Sequence, residues 1–294
     1  MLSVVPNRKL WYTISGALFI ASVIALGVWR LNVGVDFTGG VLVEYEFTGV
    51  RPSPAEIEAA VEGLGATQVK VQTAGDRQAI IRMAAASADI RPAIAVYFQG
   101  TATESRFEAI GPSVGRELAR KTTIGVFLSL ALITCYVAWV FRRSGQSVSV
   151  WAYGAVALVS MAHTVVIPLG VFAVLGEFQN VEMDASFIAA LLTILGYSIN
   201  DTIIVLDRVR ENLTLQRGAT FAEVVESSIR QSFRRSLNTG FATMLALLAI
   251  AIFGGASIQH FALAIALGIG IGTYSSLFIA APLLVTWQQR RQRA

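Results

Sequence analysis

Uncharged stretches long enough to cross a membrane recur along the chain, separated by short polar segments and one long one. Residues 10–29 and 122–141 are each 20 residues without Lys, Arg, Asp or Glu, 144–176 is 33, and 236–289 is 54. A helix needs about 20 apolar residues to span the hydrocarbon core, so the last stretch holds two spans, divided at the glycine-led polar turn Gly254-Gly255-Ala256-Ser257-Ile258-Gln259-His260. A further apolar segment, 185–206, is interrupted by a single carboxylate, Asp201. The pattern predicts an α-helical integral membrane protein of six transmembrane helices.

The long polar segment, 32–119, has the patterning of a folded domain. Val41, Val43, Tyr45 and Phe47 alternate with Leu42, Glu44 and Glu46, the period of a half-buried strand. Ser53-Pro54-Ala55-Glu56 is a capping box with proline at the first helical position, followed by Ile57, Ala60, Val61 and Leu64 at helical spacing. A strand through Val69 and Val71, a turn at Ala74-Gly75-Asp76-Arg77, a returning strand over 78–83, a helix over 90–98 and a last strand over 102–110 complete the order β-α-β-β-α-β. That order predicts a small α+β ferredoxin-like domain. It holds no paired carboxylates, Ser/His/Asp set or glycine-rich phosphate loop, so its expected work is contact with another chain.

Composition and charge add the topology. Of 294 residues, 54% are hydrophobic and 14% charged, against about 25% charged in soluble proteins, and the mean hydropathy is +0.62. Basic residues gather at Arg8-Lys9, at Arg142-Arg143, over 208–235 and at Arg290-Arg291-Arg293. With six spans, all four clusters fall on one side, and the positive-inside rule makes that side, with both termini, cytoplasmic. The α+β domain is then extracytoplasmic. The chain divides into 1–31, a cytoplasmic N-terminus and first span; 32–119, the extracytoplasmic domain; and 120–294, five spans with a cytoplasmic amphipathic helix over 208–235. Arg8-Lys9 ahead of an apolar run has the outline of a signal peptide, but the run exceeds a usual h-region and no small-x-small site precedes Arg30, so a retained anchor is expected. The sequence pI near 9.5 follows from this topology; neither nucleic acid nor a metal is expected, since the one cysteine, Cys135, lies in a span and no Cys/His ligand spacing occurs.

Asp201 is the candidate for chemistry. A carboxylate well inside a span costs about 2.5–3.5 kcal/mol on insertion scales and marks a functional site by default. On a helical wheel Thr193, Tyr197, Ser198 and Asn200 share its side of the helix, a polar stripe suited to a proton or cation, whereas Thr202 lies off the arc. The next span starts near Arg235 and runs the opposite way, which makes Arg235 a candidate counter-ion reaching in along its stem and Thr239, one turn deeper, a hydroxyl neighbour. The plainer reading of Arg235 is an interface anchor beside Arg234. His163, mid-span, is a candidate relay or a packing residue. Ala264, Gly268, Gly272 and Ser276 recur every four residues in the last span and suit close helix contact, internal or with another subunit.

Several stretches resemble the SecD/SecF protein-export family: Val35-Asp36-Phe37-Thr38-Gly39-Gly40, Gly111-Pro112-Ser113-Val114-Gly115, Gly196-Tyr197-Ser198-Ile199-Asn200-Asp201-Thr202 continuing to Asp207-Arg208-Val209-Arg210-Glu211-Asn212, Arg235-Ser236-Leu237-Asn238-Thr239, and Gly272-Thr273-Tyr274-Ser275-Ser276. The similarity extends over nearly the whole length. One departure is that the family commonly has His-Asp in the third span, where this chain has His163-Thr164. The resemblance implies a half-transporter of the resistance-nodulation-division type in a bacterial inner membrane. It would pair with SecD, which brings the other six spans, and associate with the SecYEG translocon and the SecA motor on an unfolded preprotein, within membrane lipid. Asp201, Arg235 and Thr239 match family positions implicated in proton transport coupled to movement of the outer domain. No cofactor is implied, and no Walker sequence occurs, so the chain is not expected to be an enzyme. The alternative sharing the fold is half of a small-molecule or lipid exporter; an intramembrane aspartyl protease would need a second membrane carboxylate, which no other span has, and a mere translocon scaffold would not need Asp201.

Overall fold

The computed structural model describes residues 3–84, 90–143, 149–216 and 218–293. Helix α1 (Arg8–Trp29) leads into a single turn, α2 (Val35–Thr38), and then into the α+β domain: β1 (Gly40–Phe47), α3 (Pro54–Gly63), β2 (Lys70–Ala74), β3 (Gln78–Met83), α4 (Arg91–Tyr97) and β4 (Ala102–Ile110). Five further long elements follow: α5 (Pro112–Val140), α6 (Val150–Gln179), α7 (Ala185–Leu215), α8 (Phe221–Phe253), and a last one made of α9 (Ala256–Ser275), a π-helical stretch at Ser276–Ala280 and α10 (Ala281–Arg293). Among the described residues, six helical elements are long and apolar enough to cross a membrane.

The sheet is antiparallel with strand order β2-β3-β1-β4, the ferredoxin-like arrangement that the β-α-β-β-α-β order predicts. One sheet face carries Val43, Tyr45, Phe47, Ile81 and Met83 and is closed by Ile57 and Val61 of α3 and Ile94 of α4. Helix α3 starts where the sequence says it should: Ser53 Oγ accepts from the Glu56 amide and the Glu56 carboxylate accepts from the Ser53 amide.

The second sheet face differs from the simple alternation. Leu42 and Glu44 are buried as well, because this face sits over the bundle and, with Ile80, Arg82 and Arg106, roofs a cavity floored by Phe172, Phe187 and Phe261. Arg82 Nε pairs with Glu182 Oε2 at 2.8 Å, their side chains only 14% and 7% exposed, and Arg82 also donates to Gln72 Oε1 at 2.9 Å. The amides of Gly34 and Met183 bond to the carbonyls of Met183 and Asn32, so the strand-like link after α1 is paired to the α6–α7 connection. Two stretches singled out from the sequence meet at this seam. A Cβ on Gly39, at φ +78°, would lie 2.6 Å from Pro112 Cα, and one on Gly115 would lie 2.8 Å from the Phe37 carbonyl oxygen. Their glycines permit α2 to rest directly on the start of α5.

At the end of the bundle that bears the chain termini, the segment 208–235 is not one amphipathic helix. Residues up to Leu215 prolong α7, a turn follows, and Thr220 caps α8 with a second reciprocal box to Glu223. Apolar positions on both parts, Val209, Val225 and Ile229, join the bundle core, which keeps the helices running on instead of releasing a separate one. Glu226 of α8 accepts from the amides of Val4 and Val5 at 3.0 and 2.8 Å, tying the first residues to the same end.

Candidate ion-coupling site

Asp201 lies on the buried face of α7, 7% exposed. The approach of α8 is set by small residues four apart, Ser228, Ser232, Ser236 and Gly240, all buried. Ser236 Oγ donates to Asp201 Oδ1 at 2.5 Å, a buried hydrogen bond. The second carboxylate oxygen, Oδ2, is buried with no hydrogen-bond partner among the described residues, so the group has one anchored oxygen and one open to a proton, a cation or water.

Four buried or half-buried hydroxyl pairs lie elsewhere in the bundle, the first involving Thr202, next in sequence to Asp201. Thr202 Oγ1 and Ser276 Oγ share a bond of 2.8 Å, Ser198 Oγ and Thr164 Oγ1 one of 3.2 Å, Ser160 Oγ and Ser275 Oγ one of 3.0 Å, and Tyr274 and Ser15 one of 2.8 Å. These pairs join α1, α6, α7 and the end of α9. Ser276 opens the π-helical stretch, a local widening often found at functional positions. Close packing brings the hydroxyls together: a Cβ on Gly268 would lie 2.3 Å from Ile194 Cδ1, and one on Gly272 would lie 2.9 Å from Ser198 Cβ. The four-residue repeat in the last span is thus an internal contact with α7.

The residues read from the sequence divide into two groups. Asp201 and Ser198 are buried in the site. Asn200, Arg235 and Thr239 are exposed, and Tyr197 is half-buried. Arg235 forms no ion pair among the described residues. Successive helix positions are 100° apart, so once Ser236 faces α7, Arg235 must turn aside. His163 stacks on Phe19 and lies tilted against Tyr274, with ring centroids at 6.4 and 6.0 Å, so the structure places it in an aromatic cluster between α1 and α9. Ser236, Thr202 and Thr164 are the members that sequence reasoning missed. The small-residue spacing from Ser228 to Gly240 was the available signal for Ser236.

A bundle with six membrane-length helices, a ferredoxin-like domain inserted after the first, and one buried carboxylate between the fourth and fifth defines a multi-pass membrane protein. The family of protein export membrane protein SecD/SecF, C-terminal, matches residues 90–290. Protein translocase subunit SecF of Anaerolinea thermophila is 35% identical over 299 residues, spanning 100% of this chain and 96% of that protein. The SecF of Haemophilus influenzae is 35% identical over 291 residues, 97% of this chain and 86% of that one. Protein translocase subunit SecDF of Thermus thermophilus is 36% identical over 297 residues, 96% of this chain and 38% of that longer protein. A crystal structure of SecDF, a translocon-associated membrane protein from Thermus, superposes with a TM-score of 0.87 at 32% identity over 98% of this chain and 39% of that chain. The chain belongs to the SecD/SecF protein-export family.

Proposed function

We propose that the chain is a SecF-type subunit of the accessory complex of the Sec preprotein translocase, and that passage of a proton or sodium ion by way of Asp201 drives movements of the α+β domain that assist late translocation. The observation that carries this reading is the carboxylate itself: buried, held through one oxygen by Ser236, open at the other. Gain or loss of charge on Asp201 changes what the Ser236 hydroxyl must do and hence how α7 packs on α8. The α6–α7 connection, tied to Arg82 of the sheet through Glu182, passes a shift of α7 to the domain. One elementary charge crossing 100 mV supplies about 2.3 kcal/mol, comparable with the cost of repacking one hydrogen-bonded buried group.

Beside the site, Thr193, Asn200, Arg235, Asn238 and Thr239 leave a polar face uncovered on α7 and α8. Lipid chains satisfy none of these groups. A second six-span half, SecD, is the proposed cover, in keeping with a fused SecDF relative of which this chain spans 38%. SecYEG, SecA and an unfolded preprotein are the further proposed partners, in a bacterial inner membrane with both termini cytoplasmic. The chain is proposed to act without enzymatic chemistry or a cofactor. Inverted membrane vesicles carrying Asp201→Asn should assemble the complex normally yet lose the gradient-dependent part of preprotein translocation; full gradient-dependent translocation by the variant sinks the reading. Co-purification separates it from the exporter alternative, since SecD and SecYEG accompany only an export subunit.

A further inference from the structure

Away from α7 and α8, a groove of about 640 Å³ runs between α1, α6 and α10 at the end of the bundle where the chain termini lie. Its walls are apolar: Ala155, Val156 and Val159 occupy one side of α6, with Leu283 opposite. Tyr12 and Thr286 close its back by sharing a hydrogen bond of 3.0 Å. Val159 and Trp287 are exposed along its mouth. At the rim stand Arg290 and Arg291, both exposed and neither in an ion pair among the described residues. No carboxylate lines the groove, α10 contains none, and Arg8, on the facing end of α1, spends its guanidinium on Gln289 and the Val5 carbonyl.

Apolar walls below a rim of two unneutralised guanidiniums are complementary to one kind of molecule: acyl chains under an anionic phosphodiester. We propose that this groove is a binding site for an anionic phospholipid such as phosphatidylglycerol. Arg290 and Arg291 take the phosphate, for which guanidinium geometry is suited, and an acyl chain lies along Val156 and Val159. Basic pockets between spans are where such headgroups settle, at about 1 kcal/mol for each cation, which is about five-fold per arginine and about 25-fold for the pair. The apolar residues beneath the two cations, Ala155, Val156, Val159 and Leu283, suit an acyl chain, which selects a lipid over free phosphate.

The test is native mass spectrometry of the full chain titrated with phosphatidylglycerol or phosphatidylcholine, alone and again within its co-purified complex. The wild type should retain phosphatidylglycerol preferentially, the double variant Arg290→Gln/Arg291→Gln should lose about 25-fold in affinity, and Val159→Trp, which fills the groove without touching charge, should also lose binding. Arg142→Gln, an arginine stacked on Trp139 outside the groove, should leave binding unchanged. The proposal is overturned if the double variant binds as the wild type does, if Arg142→Gln loses as much, if millimolar inorganic phosphate competes fully, or if assembly with partner chains abolishes the adduct.

Discussion

Replacing Arg82 by methionine isolates the electrostatics of the seam between sheet and bundle. Arg82→Met keeps most of the apolar stem and removes the guanidinium 2.8 Å from Glu182, whose side chain is 7% exposed. The stranded carboxylate can stay ionised, at about 3–5 kcal/mol for a buried charge without its partner, or it can take up a proton. Protonation caps the loss. From an ordinary value of 4.5 the cost is about 1.4 kcal/mol per pH unit, which gives about 3.4 kcal/mol at pH 7 and about 0.7 kcal/mol at pH 5. In the wild type, burial already pushes the Glu182 carboxyl above its ordinary value; Arg82 and Lys70 oppose this, while Asp184 and Asp36 add to it. The folded form therefore holds this proton to higher pH than the unfolded form, so the contribution of Glu182 to stability falls as pH rises from the ordinary value through the raised one, and loss of Arg82 widens that window. Hydrogen exchange of the β1 and β3 amides in detergent should show Arg82→Met destabilised by up to about 3 kcal/mol at pH 7 and by less than about 1 kcal/mol at pH 5. Arg82→Met/Glu182→Gln, which removes both charges of the pair, should regain most of the loss at pH 7. A deficit that does not vary with pH, or no recovery in the double variant, refutes the reasoning and makes the contact one of packing.

Two further substitutions probe the bundle. Gly268→Ala places a methyl 2.3 Å from Ile194 side-chain carbons and should cost about 1–3 kcal/mol by overpacking; thermal unfolding should show Gly268→Ala/Ile194→Ala to be more stable than the sum of the two single losses allows. Ser236→Ala removes the donor to Asp201 and should cost about 1.5–3 kcal/mol, as for a hydrogen bond to a charged group, while slowing ion flux; Ser236→Thr, which keeps the hydroxyl, should restore flux. Wild-type flux in Ser236→Ala would reduce Ser236 to a packing residue.

Much of this was legible because a membrane punishes misplaced charge. The six helices follow from where charges are missing, and Asp201 is conspicuous as the carboxylate inside a span. The strands of the α+β domain follow from Val43, Tyr45 and Phe47, and its first helix from Ser53 and Glu56. What the sequence hid depends on how packed elements rotate about their own axes. The buried face of α7 is turned so that Thr202 points inward and Asn200 outward, the reverse of the stripe drawn on a helical wheel. That turn is set by contacts distant in sequence, Ile194 against Gly268 and Ser198 against Gly272. The same cause exchanged Arg235 for its neighbour Ser236 as the group that touches Asp201. Burial of Glu44 and the Arg82–Glu182 pair depended on the second sheet face being covered, which alternation within one strand cannot reveal.

Ion flux measured in liposomes containing the chain with the proposed SecD partner, under an imposed gradient of protons or of sodium, is the most direct test of the central claim. Flux of one of these ions with Asp201 intact, lost in Asp201→Asn while the complex remains assembled, is the predicted result; equal flux with and without the carboxylate would contradict it.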